Sequence, residues 1–112
     1  MAFLTKLEEW FMLAVFQNNE PASLMDIRKY LHDKTGKDWA FASLYIALDK
    51  LKKKGFVESH KGEPKHIRGG KALRYYCMTK RGIQILDEAW KMQEPLWEDF
   101  ISSLGRNIKT DE

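Results

Sequence analysis

Nineteen lysines and arginines stand against sixteen acidic residues in this 112-residue chain, and where they fall matters more than their net of +3. Residues 21–55 hold eight basic and four acidic side chains, and residues 56–82 hold seven and two, so the middle of the chain carries +9 and the two ends together −6. Lys50, Lys52, Lys53 and Lys54 form one cluster, and Lys61, Lys65, His66, Arg68, Lys71 and Arg74 form a second. Cations at this density neutralise phosphates and release the counterions condensed on a duplex, and local clustering decides which polyanion a protein attracts. A solvated helix end favoured by the macrodipole accounts for the lysine run taken alone. Two basic clusters flanking one candidate helix point to a nucleic-acid surface.

Other chemistry has little to work with. Catalysis needs a nucleophile beside a base, paired carboxylates in a cleft, or metal ligands at workable spacing. His32, His60 and His66 form no His-x-x-x-His unit, and with Cys77 as the one cysteine there is no Cys-x-x-Cys. Gly69-Gly70 reads as a turn that needs permissive backbone angles rather than as a phosphate loop. Cys77 lies in a strand-like stretch and reads as a small core or boundary residue. Neither an enzyme, nor a metal site, nor a cofactor is expected.

A lone cysteine cannot form an internal disulfide, and no stretch approaches 18 uncharged apolar residues. The first fifteen residues carry Lys6, Glu8 and Glu9 inside their apolar pattern, with no small-residue cleavage site behind them. These features predict a cytoplasmic protein without membrane attachment. A hydrophobic content of 44% against 31% charged residues, over a length suited to one core, predicts a folded domain.

The elements that position the basic clusters follow from periodicity. Phe3, Leu4, Leu7, Trp10, Phe11, Ala14 and Val15 recur at steps of 3 and 4 and predict a first helix over 3–17. Ser23 with Asp26 three residues on predicts a capped second helix, with Leu24, Ile27 and Leu31 inward and Gly36 at its end. Asp38 is expected to cap a third helix. In it Ala40, Leu44, Ala47, Leu48 and Leu51 fall within about 60° of Leu44 when each residue turns the helix by 100°. Ala42, Ile46, Asp49 and Lys53 point outward, Tyr45 and Lys50 lie on the flanks, and Gly55 stops the helix.

After Gly55 the period changes to 2, which predicts strands over Phe56–Lys61 and Ala72–Thr79 joined by a basic, glycine-bounded loop. Thr79 is expected to cap a long last helix. Ile83, Leu86, Trp90, Gln93, Trp97, Phe100 and Leu104 alternate steps of 3 and 4 along it, a heptad-like seam that asks for a partner helix. Pro95 removes one backbone donor and is expected to kink that helix near residues 91–95, and Asn107 to Glu112 are expected to fray.

The expected fold is mainly α with a small two-stranded β-wing: a winged helix-turn-helix over 1–79, a C-terminal dimerisation helix over 80–106, and a tail over 107–112. In a winged helix the third helix enters the major groove and the wing lies on the flanking backbone. Ala42, Ser43 and Ile46 keep the outer face slim, so that an apolar side chain meets a thymine methyl and a hydroxyl bonds a base edge or phosphate. Lys50, Lys52, Lys53 and Lys54 would then neutralise phosphate.

These segments carry a resemblance. Ala42-Ser43-Leu44-Tyr45-Ile46-Ala47-Leu48-Asp49-Lys50-Leu51 resembles the Gly-Thr-Leu-Tyr-x-x-Leu-x-Arg-Leu signature of the recognition helix in the PadR family of transcriptional regulators. Lys54-Gly55-Phe56-Val57-Glu58 is similar to the segment that follows it there. Gly70-Lys71-Ala72-Leu73-Arg74-Tyr75-Tyr76-Cys77-Met78-Thr79-Lys80-Arg81-Gly82 resembles that family's Gly-x-x-x-(Arg/Lys)-x-Tyr-x-Leu-Thr-x-x-Gly. The likeness runs over roughly residues 3–104, and the single C-terminal helix resembles the short subfamily.

The resemblance implies a homodimeric, cytoplasmic, repressor-like regulator that binds double-stranded DNA. Its dimer would be built from Leu7, Trp10 and Phe11 of the first helix and Trp90, Gln93, Trp97, Phe100 and Leu104 of the last. Tyr45 matches the family's tyrosine beside DNA, and Ser23 at the start of the second helix joins the DNA-facing set. Lys50 stands where arginine is usual and Ala42-Ser43 replace Gly-Thr, departures that touch base preference because lysine lacks arginine's bidentate fork. In some short members a tryptophan of the last helix stacks a flat, hydrophobic effector, and Trp90, Met92, Trp97 and Phe100 resemble that equipment. Plain dimer core is the other reading of these aromatics. A third keeps the winged helix as a protein–protein adaptor, and steep salt dependence separates a DNA binder from it.

Overall fold

The computed structural model describes residues 4–18, 21–62 and 74–111, with side chains as far as Gly105. Helix α1 spans Lys6–Gln17. It begins later than the apolar period suggests because Thr5 caps it: the Thr5 hydroxyl accepts the Glu8 N–H at 3.1 Å and the Glu8 carboxylate accepts the Thr5 N–H at 2.8 Å. Such reciprocal bonds satisfy donors that a helix start leaves orphaned.

Strand β1, Ala22–Ser23, leads directly into α2, Leu24–Thr35. Ser23 and Asp26 form the expected capping box, with bonds of 3.0 and 3.1 Å. Gly36 closes α2 in the left-handed region at φ 75°, a conformation that a Cβ disfavours. An N-cap residue is already extended, so Ser23 can pair as a strand while starting the helix.

Helix α3 spans Phe41–Lys53. Asp38 does not cap it; Ala40 holds that position with no side-chain bond, and the Asp38 carboxylate meets His32 Nδ1 at 2.9 Å instead. Asp38 lies two residues ahead of the N-cap, out of reach of the first-turn donors. The start of α3 is held from α2: Arg28 Nε donates to the Trp39 carbonyl at 2.9 Å, and its guanidinium lies 4.9 Å from the Phe41 ring centre.

Strands β2, Val57–Lys61, and β3, Arg74–Met78, pair antiparallel from Val57 opposite Met78 to Lys61 opposite Arg74. The two strands of the wing are joined by β1, giving a three-stranded sheet in the order β1-β3-β2 with Ala22 opposite Tyr76. The third strand went unforeseen because two residues show no period. Residues 72 and 73, expected in the second strand, lie outside the described residues.

Helix α4 spans Lys80–Asp111. Thr79 starts it, accepting the Gly82 N–H at 2.9 Å while its hydroxyl donates to the Gly55 carbonyl at 2.7 Å. The backbone stays helical on both sides of Pro95 and through 107–111, where fraying was expected. At 1.5 Å per residue α4 is about 48 Å long and projects from the rest.

One core joins these elements. Met12 and Val15 of α1, Ile27 of α2, Leu44, Leu48 and Leu51 of α3, Phe56 just ahead of β2, and Val57 and Tyr76 of the sheet are all but fully buried. Each such side chain contributes roughly 1.5–3 kcal/mol of transfer free energy.

Candidate nucleic-acid interface

Burial of Leu44, Leu48 and Leu51 fixes the rotation of α3 and so decides what it shows to solvent. Ala42, Ser43, Tyr45, Ile46, Lys50 and Lys53 are all exposed. Ala47 is half-buried, whereas Ala40, expected on the core face, is exposed at the helix start.

The outer surface of α3 has two flanks. Ser43, Ile46, Lys50 and Lys54, at steps of 3, 4 and 4, line one side of a groove of about 680 Å³. Its other side comes from Leu7, Glu8 and Phe11 of α1, with Trp39 also lining it. On the opposite flank Tyr45 receives the Arg74 guanidinium 5.7 Å from its ring centre, so the wing strand leans on the helix. Tyr76 behind them is buried, which pushes its phenol above the ordinary tyrosine range despite the nearby Arg74.

The lysines of α3 divide by their partners. Lys53 meets Asp49 at 3.3 Å, and Lys54 reaches across to Glu8 at 2.6 Å. Burial acts to raise the Glu8 carboxyl, but the Lys54 ammonium and the bonds with Thr5 outweigh it and hold the group below the ordinary glutamate range. Among the described residues no carboxylate lies within ion-pair distance of Lys50 or Lys52. Lys61 is exposed and stands opposite Arg74 across the wing, which brings two basic residues to one position of the sheet. Lys65, His66, Arg68 and Lys71 lie outside the described residues.

Two candidates leave the set. Ser23 is 8% exposed, and its hydroxyl accepts the Asp26 N–H in the cap of α2, which turns it from the surface. Phe11, expected in a dimer interface, is 3% exposed, with its ring edge-on to Trp39 at 5.7 Å in the chain's own core.

The remaining seam residues fare differently. Leu7, Trp90, Trp97, Phe100 and Leu104 are exposed, and Trp10 is half-buried, edge-on to Trp39 at 6.3 Å. Gln93 is engaged within the chain: its amide oxygen accepts from Lys6 Nζ, and its amide nitrogen donates at 3.0 Å both to Glu9 Oε1 and to the Ala89 carbonyl. Lys6 also sits 5.8 Å from the Trp97 ring centre. The first turn of α1 is therefore bonded to α4 through Lys6 and Glu9 and to α3 through Glu8.

Glu8 and Arg28 are the functional-site neighbours that sequence reasoning missed. Thr5-x-x-Glu8 is itself a capping-box pattern and could have placed Glu8 at a helix start, but no local signal pairs it with Lys54, 46 residues away. Among the described residues no group of three histidines, cysteines or acidic residues converges to hold a metal ion, and no helix is long and apolar enough to cross a membrane.

The geometry has close counterparts. A PadR-like transcription factor from Bacteroides fragilis superposes with a TM-score of 0.64 at 24% identity, over 89% of this chain and 87% of that one. A PadR family transcriptional regulator from Eggerthella lenta gives a TM-score of 0.61 at 26% identity, over 94% and 88%. A PadR-like transcriptional regulator from Bacillus cereus gives 0.70 at 18% identity, over 88% and 90%. No curated protein matches the chain in sequence. The family model of the transcriptional regulator PadR-like family matches residues 12–88, from the middle of α1 through the wing into α4. With more than half of its length matched and the winged-helix architecture shared, the chain belongs to the PadR-like family of DNA-binding transcriptional regulators.

Proposed function

We propose that the chain is a homodimeric, cytoplasmic repressor in which α3 enters the major groove and the basic wing follows the flanking backbone. The observation that carries this reading is the outer face of α3, locked outward by three buried leucines and bearing Lys50, which has no carboxylate within ion-pair distance among the described residues. In the proposed division of labour residues 1–79 bind DNA and residues 80–106 form the dimer, through Trp90, Trp97, Phe100 and Leu104 with Leu7 and Trp10 of α1. Two copies of α3 then read half-sites about one helical turn, roughly 34 Å, apart.

Roles within α3 are separable. Lys50→Ala removes a phosphate contact, lowers affinity for all sequences alike and reduces the salt slope by about 1 per protomer. Ile46→Ala removes an apolar contact to a base and changes sequence preference, at about 1–3 kcal/mol for the affected base pair. Fluorescence anisotropy on a specific and a random duplex measures both; equal effects of the two substitutions on both duplexes would refute the division.

A second reading places a flat hydrophobic effector on α4. The shallow hollow lined by Leu96, Trp97 and Phe100, with Trp97 and Phe100 edge-on at 5.9 Å, supports it. Quenching of tryptophan fluorescence by a planar aromatic dye, and loss of that quenching in Trp97→Ala, tests it.

A further inference from the structure

Four lysines crowd the last turns of α3, yet they do not offer four charges. Lys54 continues the ridge made by Ser43, Ile46 and Lys50, so it lies on the flank of α3 that carries candidate DNA contacts. Its ammonium turns back across the groove to Glu8 at 2.6 Å. The Glu8 side chain is only 16% exposed, while that of Lys54 is 49% exposed. One carboxylate oxygen of Glu8 accepts the Thr5 N–H and the other takes Lys54. Glu8 is thus pinned at both oxygens and cannot follow the lysine outward, whereas Lys54 has the length and exposure to reach a phosphate by releasing Glu8.

The Lys53–Asp49 pair is the instructive contrast. Both members stand on the surface of one helix, with the Lys53 side chain 77% exposed, and pairs of that kind open at little cost. Glu8 is a half-buried anion brought in from another helix, so it competes with DNA phosphate for Lys54 more strongly.

We infer that Glu8 sets the electrostatic affinity for DNA: its carboxylate withholds Lys54 from the DNA backbone and so weakens sequence-independent binding. The inference rests on the DNA-binding reading above. Phosphate contacts supply affinity without sequence information, while base contacts supply discrimination. Withholding one backbone cation from each protomer lowers affinity for all sequences alike and leaves the contribution of Ser43 and Ile46 untouched.

The test uses the full chain as wild type, Glu8→Gln, Glu8→Gln combined with Lys54→Met, and Asp87→Asn. Glutamine retains an oxygen for the Thr5 N–H, which preserves the cap of α1. Asp87→Asn makes the same charge change by freeing Lys91, 2.9 Å away on α4. Binding to a random-sequence duplex is measured between 50 and 200 mM salt. Glu8→Gln is expected to steepen the slope of log K against log salt by about 0.9 per protomer, a further fall of about 3.5-fold per protomer across that range. The double variant is expected to return to the wild-type slope, and Asp87→Asn to keep it.

A Glu8→Gln slope equal to or shallower than wild type overturns the inference. So does steepening that survives loss of Lys54, or that Asp87→Asn reproduces. Absence of any salt-dependent binding by the wild type is a different failure: it overturns the DNA-binding reading and takes the inference with it.

Discussion

Replacing Gly82 by alanine is expected to cost about 3 kcal/mol of folding stability, at the upper end of what overpacking costs. A Cβ on Gly82 would lie 2.1 Å from the Phe56 carbonyl oxygen and 3.2 Å from Met78 Cε. That oxygen cannot retreat, because it accepts the Thr79 N–H at 3.1 Å and belongs to a residue whose ring is buried. The first turn of α4 would have to lift off the β2 end of the sheet, and with it the cap formed by Thr79. Gly105→Ala supplies the control: nothing lies within 4 Å of a Cβ there, and alanine inside a helix gains up to about 1 kcal/mol over glycine. Urea denaturation followed by circular dichroism measures both. A Gly82→Ala midpoint at or above that of the wild type would mean that α4 does not meet the sheet as described.

Trp97→Ala is expected to raise the dimer dissociation constant by on the order of 30-fold or more, the effect of losing a central aromatic anchor worth about 2 kcal/mol. Leu96, Trp97, Phe100, Ile101 and Leu104 are exposed along one side of α4, far more apolar surface than scattered solvent-facing residues require. Within the protomer Trp97 touches only Phe100 and Lys6 among the contacts described, so its loss leaves the core intact. Sedimentation equilibrium should therefore show a shift to monomer with an unchanged helical signal. The proposed dimer engages two half-sites together, so affinity for a palindromic duplex should fall in parallel. An unchanged association state would remove α4 as the dimer element.

The parts of this fold that could be read from sequence are those whose chemistry is local. The Ser23–Asp26 box, the left-handed Gly36 and Gly55 and the Thr79 cap act over three or four residues, and each forms as its residue types require. The apolar period of α3 likewise fixed which side chains face outward, because one buried stripe allows only one rotation of the helix. What could not be read depends on partners distant in the chain. Strand β1 exists because β3 has a second edge to satisfy, and Ala22–Ser23 have no period of their own. The family resemblance puts Phe11 in a dimer interface, but Trp39 arrives from 28 residues away to cover it. In sequence the lysine run offers four cations, whereas in the fold Asp49 and Glu8 each pair with one of them. Charge counts along a sequence overstate a nucleic-acid surface whenever the fold brings carboxylates to it.

The measurement that tests the central claim most directly is selection of random genomic fragments by the purified full chain at two salt concentrations, with the recovered fragments sequenced. The account predicts enrichment of a palindromic site with half-sites about one helical turn apart, held at the lower salt and lost at the higher. Recovery of no fragment at either salt, or of fragments retained equally at both, would contradict it and move the function of the basic face to a protein partner.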